Sequence, residues 1–272
     1  MTADPTVAAD PVPTVDYQYQ DGIARIWLNR PHRLNAVIPE MVEGLCRALD
    51  HALRDGPRAL ILAGRGRAFC AGHDLRHEEP VPPLPEERRR LQRIQDVTRK
   101  IRQAPFVVIG SVHGYALGAG CEFALACDLV VAAEDAVFGF PEVGVGLSVT
   151  GGISHLLPAA LGLSRAKELV LLGEHFSAAQ ALDLHLVNLV VGSERREEAA
   201  ADLAQRVAAR PPNALARAKF LLDRGSQAGI DAAFELEVDS GMASRGSDEA
   251  AQAARAFRGR SRSRREAPGE PS

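Results

Sequence analysis

The sequence predicts an α/β fold, with a core over residues 15–195 in which short strands alternate with helices, followed by a helical segment over 196–257. Three observations predict it. The segments VDYQYQ and IARIWL alternate apolar and polar residues around the tight-turn pair Asp21-Gly22. Short apolar runs, ALILAG, FVVIGSV and LVVAA, are separated by stretches of helical periodicity. Beyond residue 150 the pattern is mostly helical.

The Pro-, Ala- and Asp-rich start, residues 1–14, is expected to be disordered. VDYQYQ and IARIWL then form a hairpin, and Met41, Leu45, Leu49 and Leu53 recur at helical spacing between Pro39 and Arg54. ALILAG (59–64) is a strand leading into the loop GRGRAFCAGHDL. The proline-rich EEPVPPLPEE (78–87) is expected to lie outside regular structure, with a helix beyond it marked by Leu91, Ile94, Val97 and Ile101. FVVIGSV is a strand ending at a glycine-rich loop, a helix runs from about Gly120 to Cys127, and LVVAA (129–133) is a buried strand. Helical SRAKELVLLG and SAAQALDL, a short strand in LVNLVV, and three helical stretches between Arg195 and Phe257, interrupted at Pro211-Pro212, complete the order. Residues 258–272 are expected to form a basic flexible tail, since six arginines fall between Arg255 and Arg265.

At 272 residues, 46% hydrophobic and 25% charged, the chain has an ordinary globular composition, and its net charge of −3 gives no general argument for nucleic acid or membrane binding. No apolar run approaches the ~20 residues needed to span a bilayer. The start MTADPTVAADPVPTVD lacks the basic-then-apolar order of a secretory signal, so a cytoplasmic location is expected. Cys46, Cys70, Cys121 and Cys127 form no CxxC pair and read as small core residues rather than a disulfide framework or a zinc site.

The stretch GYALGAGCE (114–122) places a glycine cluster between a strand and a helix, with a carboxylate directly after it. A phosphate-binding loop would end in Gly-Lys-Ser/Thr, whereas Cys121-Glu122 follows Gly120; a dinucleotide fingerprint wants a small residue where Phe123 stands. What remains is a helix N-terminus whose unpaired amides near Ala119 and Gly120 point outward with partial positive charge. A second small-residue loop, AFCAGHDL, lets the amide of His73 face the same spot. Two converging peptide N–H groups form an oxyanion hole. Glu122 in the first helical turn and Glu142 in the apolar loop VFGFPEVGVGL are acids in apolar settings, which raises their pKa values toward neutrality and suits proton exchange.

Taken together, LNRPHRLNA, GRAFCAGHDL, GYALGAGCEFALACDL, FGFPEVGVGL and AKELVLLGEHFSAAQALDLHLVN resemble, in order and spacing, the crotonase superfamily, also named the enoyl-CoA hydratase/isomerase family; the resemblance runs from about Ile23 to Ala256. It implies a spiral of ββα turns, C-terminal helices that build homotrimers or dimers of trimers, and an acyl-CoA thioester as substrate. It places the oxyanion-hole donors on the backbone amides of His73 and Ala119, and the two hydratase glutamates on Glu122 and Glu142. The implied activity is an enoyl-CoA hydratase adding water across the 2,3 double bond, with no metal and no cofactor beyond the CoA of the substrate. Relatives that only shift a double bond often keep just the acid at the Glu142 position, so an enoyl-CoA isomerase or another acyl-CoA enzyme is the alternative. A non-catalytic acyl-CoA-binding or RNA-binding member is a further one, although the core offers no basic, aromatic-rich surface pattern. The CoA portion is expected across Ala71, Gly72, His73, Asp74, Leu75 and Arg76, with Arg33, Leu34, Ala36 and Gly118 nearby.

The chain departs from the commonest family pattern at His73, often a small residue; at Ala119, often glycine; over Leu147–Thr150, usually proline-containing; and over Asp183–His185. These departures bear on acyl specificity. No G-x-S-x-G elbow supports a serine hydrolase, and no histidine has a partner at metal-ligand spacing.

Overall fold

The computed structural model describes residues 13–77, 82–245, 247–252, 254, 255 and 258. Residues 1–12 and 259–272, where a disordered start and most of a basic tail are expected, lie outside the described residues, as do 78–81 of the proline-rich stretch. The hairpin forms as β1 (Val15–Gln20) and β2 (Ile23–Leu28), with Asp21 and Gly22 both at positive φ in the turn. Next come α1 (Pro39–Asp55), stopped by Gly56 in the left-handed conformation, and β3 (Ala59–Gly64). The helix α2 (Leu84–Gln103) begins inside EEPVPPLPEE, four residues earlier than its composition suggests. Pro83 and Pro85 occupy its start, where the missing N–H would have no helical acceptor and the fixed φ suits the first turn.

Then follow β4 (Val107–Val112), β5 (Tyr115–Leu117), α3 (Ala119–Ala126), β6 (Leu129–Ala133) and β7 (Val137–Gly139). Part of the glycine-rich stretch expected as loop is therefore the strand β5, paired parallel to β7. After a 3-10 turn over Pro141–Val145 come α4 (Ile153–Leu161), α5 (Leu163–Leu172), β8 (His175–Ser177), α6 (Ala178–Asp183) and β9 (Leu189–Val191). Then come α7 (Arg196–Ala208), α8 (Pro212–Gly225) and α9 (Ile230–Arg245).

The larger sheet has the order β1-β2-β3-β4-β6-β9 and is parallel after the first hairpin; the smaller one has the order β5-β7-β8. Both β3 and β4 are buried along their whole length, as a parallel strand covered on two faces must be. One face of the sheet, through Leu60, Leu62 and Val108, packs on α1, α2 and α3 in the main core. The other, through Ile61, Ile109 and Val131, is covered by Ala200, Ala204 and Val207 of α7. Lys219 anchors α8 to this body: its buried ammonium donates to the carbonyls of Ile101 (2.8 Å) and Phe106 (3.1 Å) and to Asp128 Oδ2 (2.7 Å).

All four cysteines are buried free thiols, as their apolar settings predict. No helix among the described residues is long and apolar enough to cross a membrane.

Candidate active site

The site is assembled by stitching three motifs edge to edge. Residues 70–74 lie between β5 and the segment after β2. On one side Cys70 N donates to Tyr115 O (2.8 Å) and Leu117 N to Cys70 O (3.0 Å). On the other, Ala71 N donates to Leu34 O (3.0 Å), Val37 N to Gly72 O (2.7 Å) and Asp74 N to Val37 O (3.0 Å). The motif LNRPHRLNA supplies the brace. Asn35, fully buried with φ at +56°, accepts from Arg30 N and donates to the carbonyls of Arg65 and Ala68. Arg30 donates to Ala36 O and pairs with Asp74 at 3.1 Å. Burial pushes the Asp74 carboxyl up, but the Arg30 guanidinium and the Arg76 N–H outweigh it and hold it below the usual range.

Two turns meet here. Gly72 has φ +88° and Gly118 φ +52°; a β-carbon on either would stand 3.7 Å from the α-carbon of the other. A β-carbon on Gly72 would also stand 2.8 Å from Leu117 O, so only glycine permits this approach. The peptide N–H groups of His73 and Ala119, next in sequence to these glycines, donate to no group among the described residues. Ala119 opens α3, so its N–H is one of the orphan donors of a helix start.

Glu122, in the first turn of α3, is 1% exposed. Thr150 holds both of its oxygens: the backbone N–H donates to Oε1 at 2.5 Å and the hydroxyl to Oε2 at 2.6 Å. Burial pushes the carboxyl up to about 7, against the two Thr150 hydrogen bonds, and the charge of Glu142 acts in the same direction as burial. Glu142, raised likewise by burial, sits at the start of the 3-10 turn after Pro141. Its Oε1 would stand 3.1 Å from a β-carbon on Gly118, and its buried Oε2 has no hydrogen-bond partner among the described residues.

A cavity of about 600 Å³ opens beside these groups, with His73, Leu75, Ile94, Glu142, Leu147 and Thr150 on its wall. His73 and Ile94 also border a neighbouring cavity of about 680 Å³. Burial, with the Arg90 charge second, lowers the His73 imidazole below its ordinary value. Among the predicted site residues, Leu34, Ala36, Ala71, Gly72 and Asp74 take part in the hydrogen bonds above, and His73 stands between Gly72 and Asp74 opposite Val37. Arg33, Leu75 and Arg76 lie exposed. Sequence reasoning gave no site role to Arg30, Asn35, Thr150 or Gly151; the first two fall inside the quoted motif LNRPHRLNA, and Thr150 closes the departing stretch Leu147–Thr150.

A family model described as enoyl-CoA hydratase/isomerase matches residues 18–262. Among curated relatives, the 1,2-epoxyphenylacetyl-CoA isomerase of Escherichia coli K12 is 36% identical over 224 residues, covering 81% of this chain and 86% of that protein. Among solved structures, the enoyl-CoA hydratase of Bacillus anthracis superposes with a TM-score of 0.86 at 30% identity, covering 91% of this chain and 96% of the other. A Thermobifida fusca YX chain solved in complex with CoA gives 0.80 at 28% identity, covering 85% and 92%.

Proposed function

The chain belongs to the enoyl-CoA hydratase/isomerase family, and from that premise we propose that it adds water across the α,β double bond of an enoyl-CoA thioester, or runs the reverse dehydration. The observation that carries the reading is the pair of buried acids, Glu122 and Glu142, set beside two peptide N–H groups that have no partner among the described residues.

In this reading the thioester oxygen accepts from His73 N–H and Ala119 N–H, which stabilise the negative charge that develops there; one such donor is worth ~3 kcal/mol. Ionised Glu122 orients a water and takes one of its protons as the oxygen adds to the substrate Cβ. Protonated Glu142 gives its proton to Cα. The two acids then exchange roles for the reverse direction; burial raises both carboxyls, that of Glu122 to about 7. The CoA portion lies across residues 71–76 with Arg33, Leu34, Ala36 and Gly118 nearby. The exposed apolar residues of α9, Ile230, Phe234, Val238 and Met242, support assembly through this helix, as in the expected trimer.

One observation favours a second reading. Both oxygens of Glu122 are already engaged by Thr150, whereas Glu142 lines the cavity with one oxygen that has no partner among the described residues. A lone acid at Glu142 that moves a proton between two carbons would make the protein a double-bond isomerase. The test is a set of enoyl-CoA thioesters followed by ultraviolet absorbance and mass spectrometry. Hydration removes the conjugated absorbance and adds the mass of one water. Unchanged α,β-enoyl-CoA at every chain length, with β,γ-enoyl-CoA becoming conjugated, would replace hydratase by isomerase.

A further inference from the structure

Thr150 stands in the stretch that departs from the family pattern, and it meets Glu122 with two donors from a single residue, the peptide N–H on Oε1 and the hydroxyl on Oε2. It is itself fixed from behind, since its carbonyl accepts from Ile153 N (3.0 Å) at the start of α4. Thr150 is on the wall of the 600 Å³ cavity together with Glu142; Glu122, 1% exposed, is not. Thr150 therefore borders both environments, the buried carboxyl and the cavity.

The polarity of this contact is determined by chemistry. An ionised carboxylate only accepts, so the Thr150 O–H must donate to Glu122, which leaves its oxygen lone pairs to accept from a water. Donors to a carboxylate favour its charged form and are stronger than bonds between neutral groups. Among the described residues, the titratable groups facing Glu122 are Glu142, Cys70 and Cys121, with no lysine or arginine. Burial keeps both thiols neutral. Thr150 is thus the source of the hydrogen bonds that oppose burial of the Glu122 charge.

We propose that Thr150 is a positioning residue for the reaction: its hydroxyl aims the Glu122 carboxylate and holds it in the charged, acceptor-only form that a water must meet. This rests on the hydratase reading for its catalytic consequence, but the hold on Glu122 is measurable without any substrate.

The experiment compares wild type with Thr150→Val, which keeps the shape and the peptide N–H but lacks the hydroxyl, and with Thr150→Ser, which restores it. Glutamate labelled with 13C at the side-chain carboxyl is titrated by NMR, with Glu122 assigned by its loss in Glu122→Gln. In Thr150→Val the Glu122 midpoint is expected ~1 pH unit higher, and Thr150→Ser is expected to return to the wild-type value. In turnover, the acidic limb of the kcat/KM profile moves up by the same amount, kcat at pH 7 falls ~10-fold with KM little changed, and the serine variant recovers. Thr150→Ala gives the same comparison if valine disturbs folding. Equal midpoints in wild type and the hydroxyl-free variants would overturn the proposal, whether or not hydration is observed. A moved midpoint in a protein that hydrates no enoyl-CoA would uphold the hold on Glu122 while removing the hydratase reading.

Discussion

A β-carbon on Gly151 would stand 2.8 Å from Cβ of Glu122 and 3.0 Å from its Oε2. The backbone at Gly151 also has φ +58°, where an L side chain is strained by ~1–2 kcal/mol. Gly151→Ala is therefore expected to lower stability by about that amount and to displace Glu122, reducing turnover at least ~10-fold. Thermal unfolding and kcat on the same preparation check it; full turnover in a correctly folded alanine variant would show that the position of Glu122 is not critical.

Removing either acid separates the two readings of the site. For hydration, Glu122→Gln and Glu142→Gln each lose about 10²–10⁴ in kcat. For double-bond migration, only Glu142→Gln falls that far. Steady-state rates with α,β- and β,γ-enoyl-CoA on both variants decide between them.

Glu122 also links stability to pH. Its carboxyl titrates at about 7 in the folded chain against an ordinary 4.5, so the folded state binds the proton more tightly than the unfolded one. Its contribution is then present below pH 4.5 and is lost as pH rises through about 7, a loss of ~3 kcal/mol when complete. Glu122→Gln carries no such loss. The variant is expected to be more stable than wild type at pH 8 by up to that amount, with the difference shrinking toward pH 4. Denaturant unfolding at both pH values measures it, and a difference independent of pH contradicts it.

Lys219 is 8% exposed, and its ammonium is shared among two carbonyls and Asp128. Lys219→Met leaves Asp128 without its cation and frees both carbonyls, a loss expected at ~3–5 kcal/mol. Adding Asp128→Asn is expected to recover part of it, because the uncompensated charge is then gone. Unfolding free energies of the two single variants and the double variant test the coupling; additive losses would deny it.

Much of the frame was legible because local chemistry and tertiary structure agree. Asp21-Gly22 between alternating segments defined β1 and β2, and the apolar run of β3 could pair only in a covered sheet. The strand β5 was not legible: three residues between two glycines are too few to show strand alternation, and their conformation comes from pairing with β7 and with Cys70. Nor was α4, which has no side-chain cap and carries Pro158 inside it. In the site, Glu122, Glu142 and the two small-residue turns were visible as motifs. Thr150 was not, because a threonine in a loop announces nothing until the fold brings it from 28 positions away onto Glu122.

The buried thiols give the molecule an internal clock. Burial pushes the Cys70 thiol up to about 12, so it is both screened and unreactive in the closed chain. Its carbonyl would stand 2.2 Å from a β-carbon on Gly120, and its backbone is zipped to β5. An alkylating reagent can reach this sulfur only when the seam carrying the two glycine turns comes apart. The labelling rate of Cys70, read by peptide mass, therefore times the breathing of that seam, and a bound acyl thioester that bridges the turns would slow it.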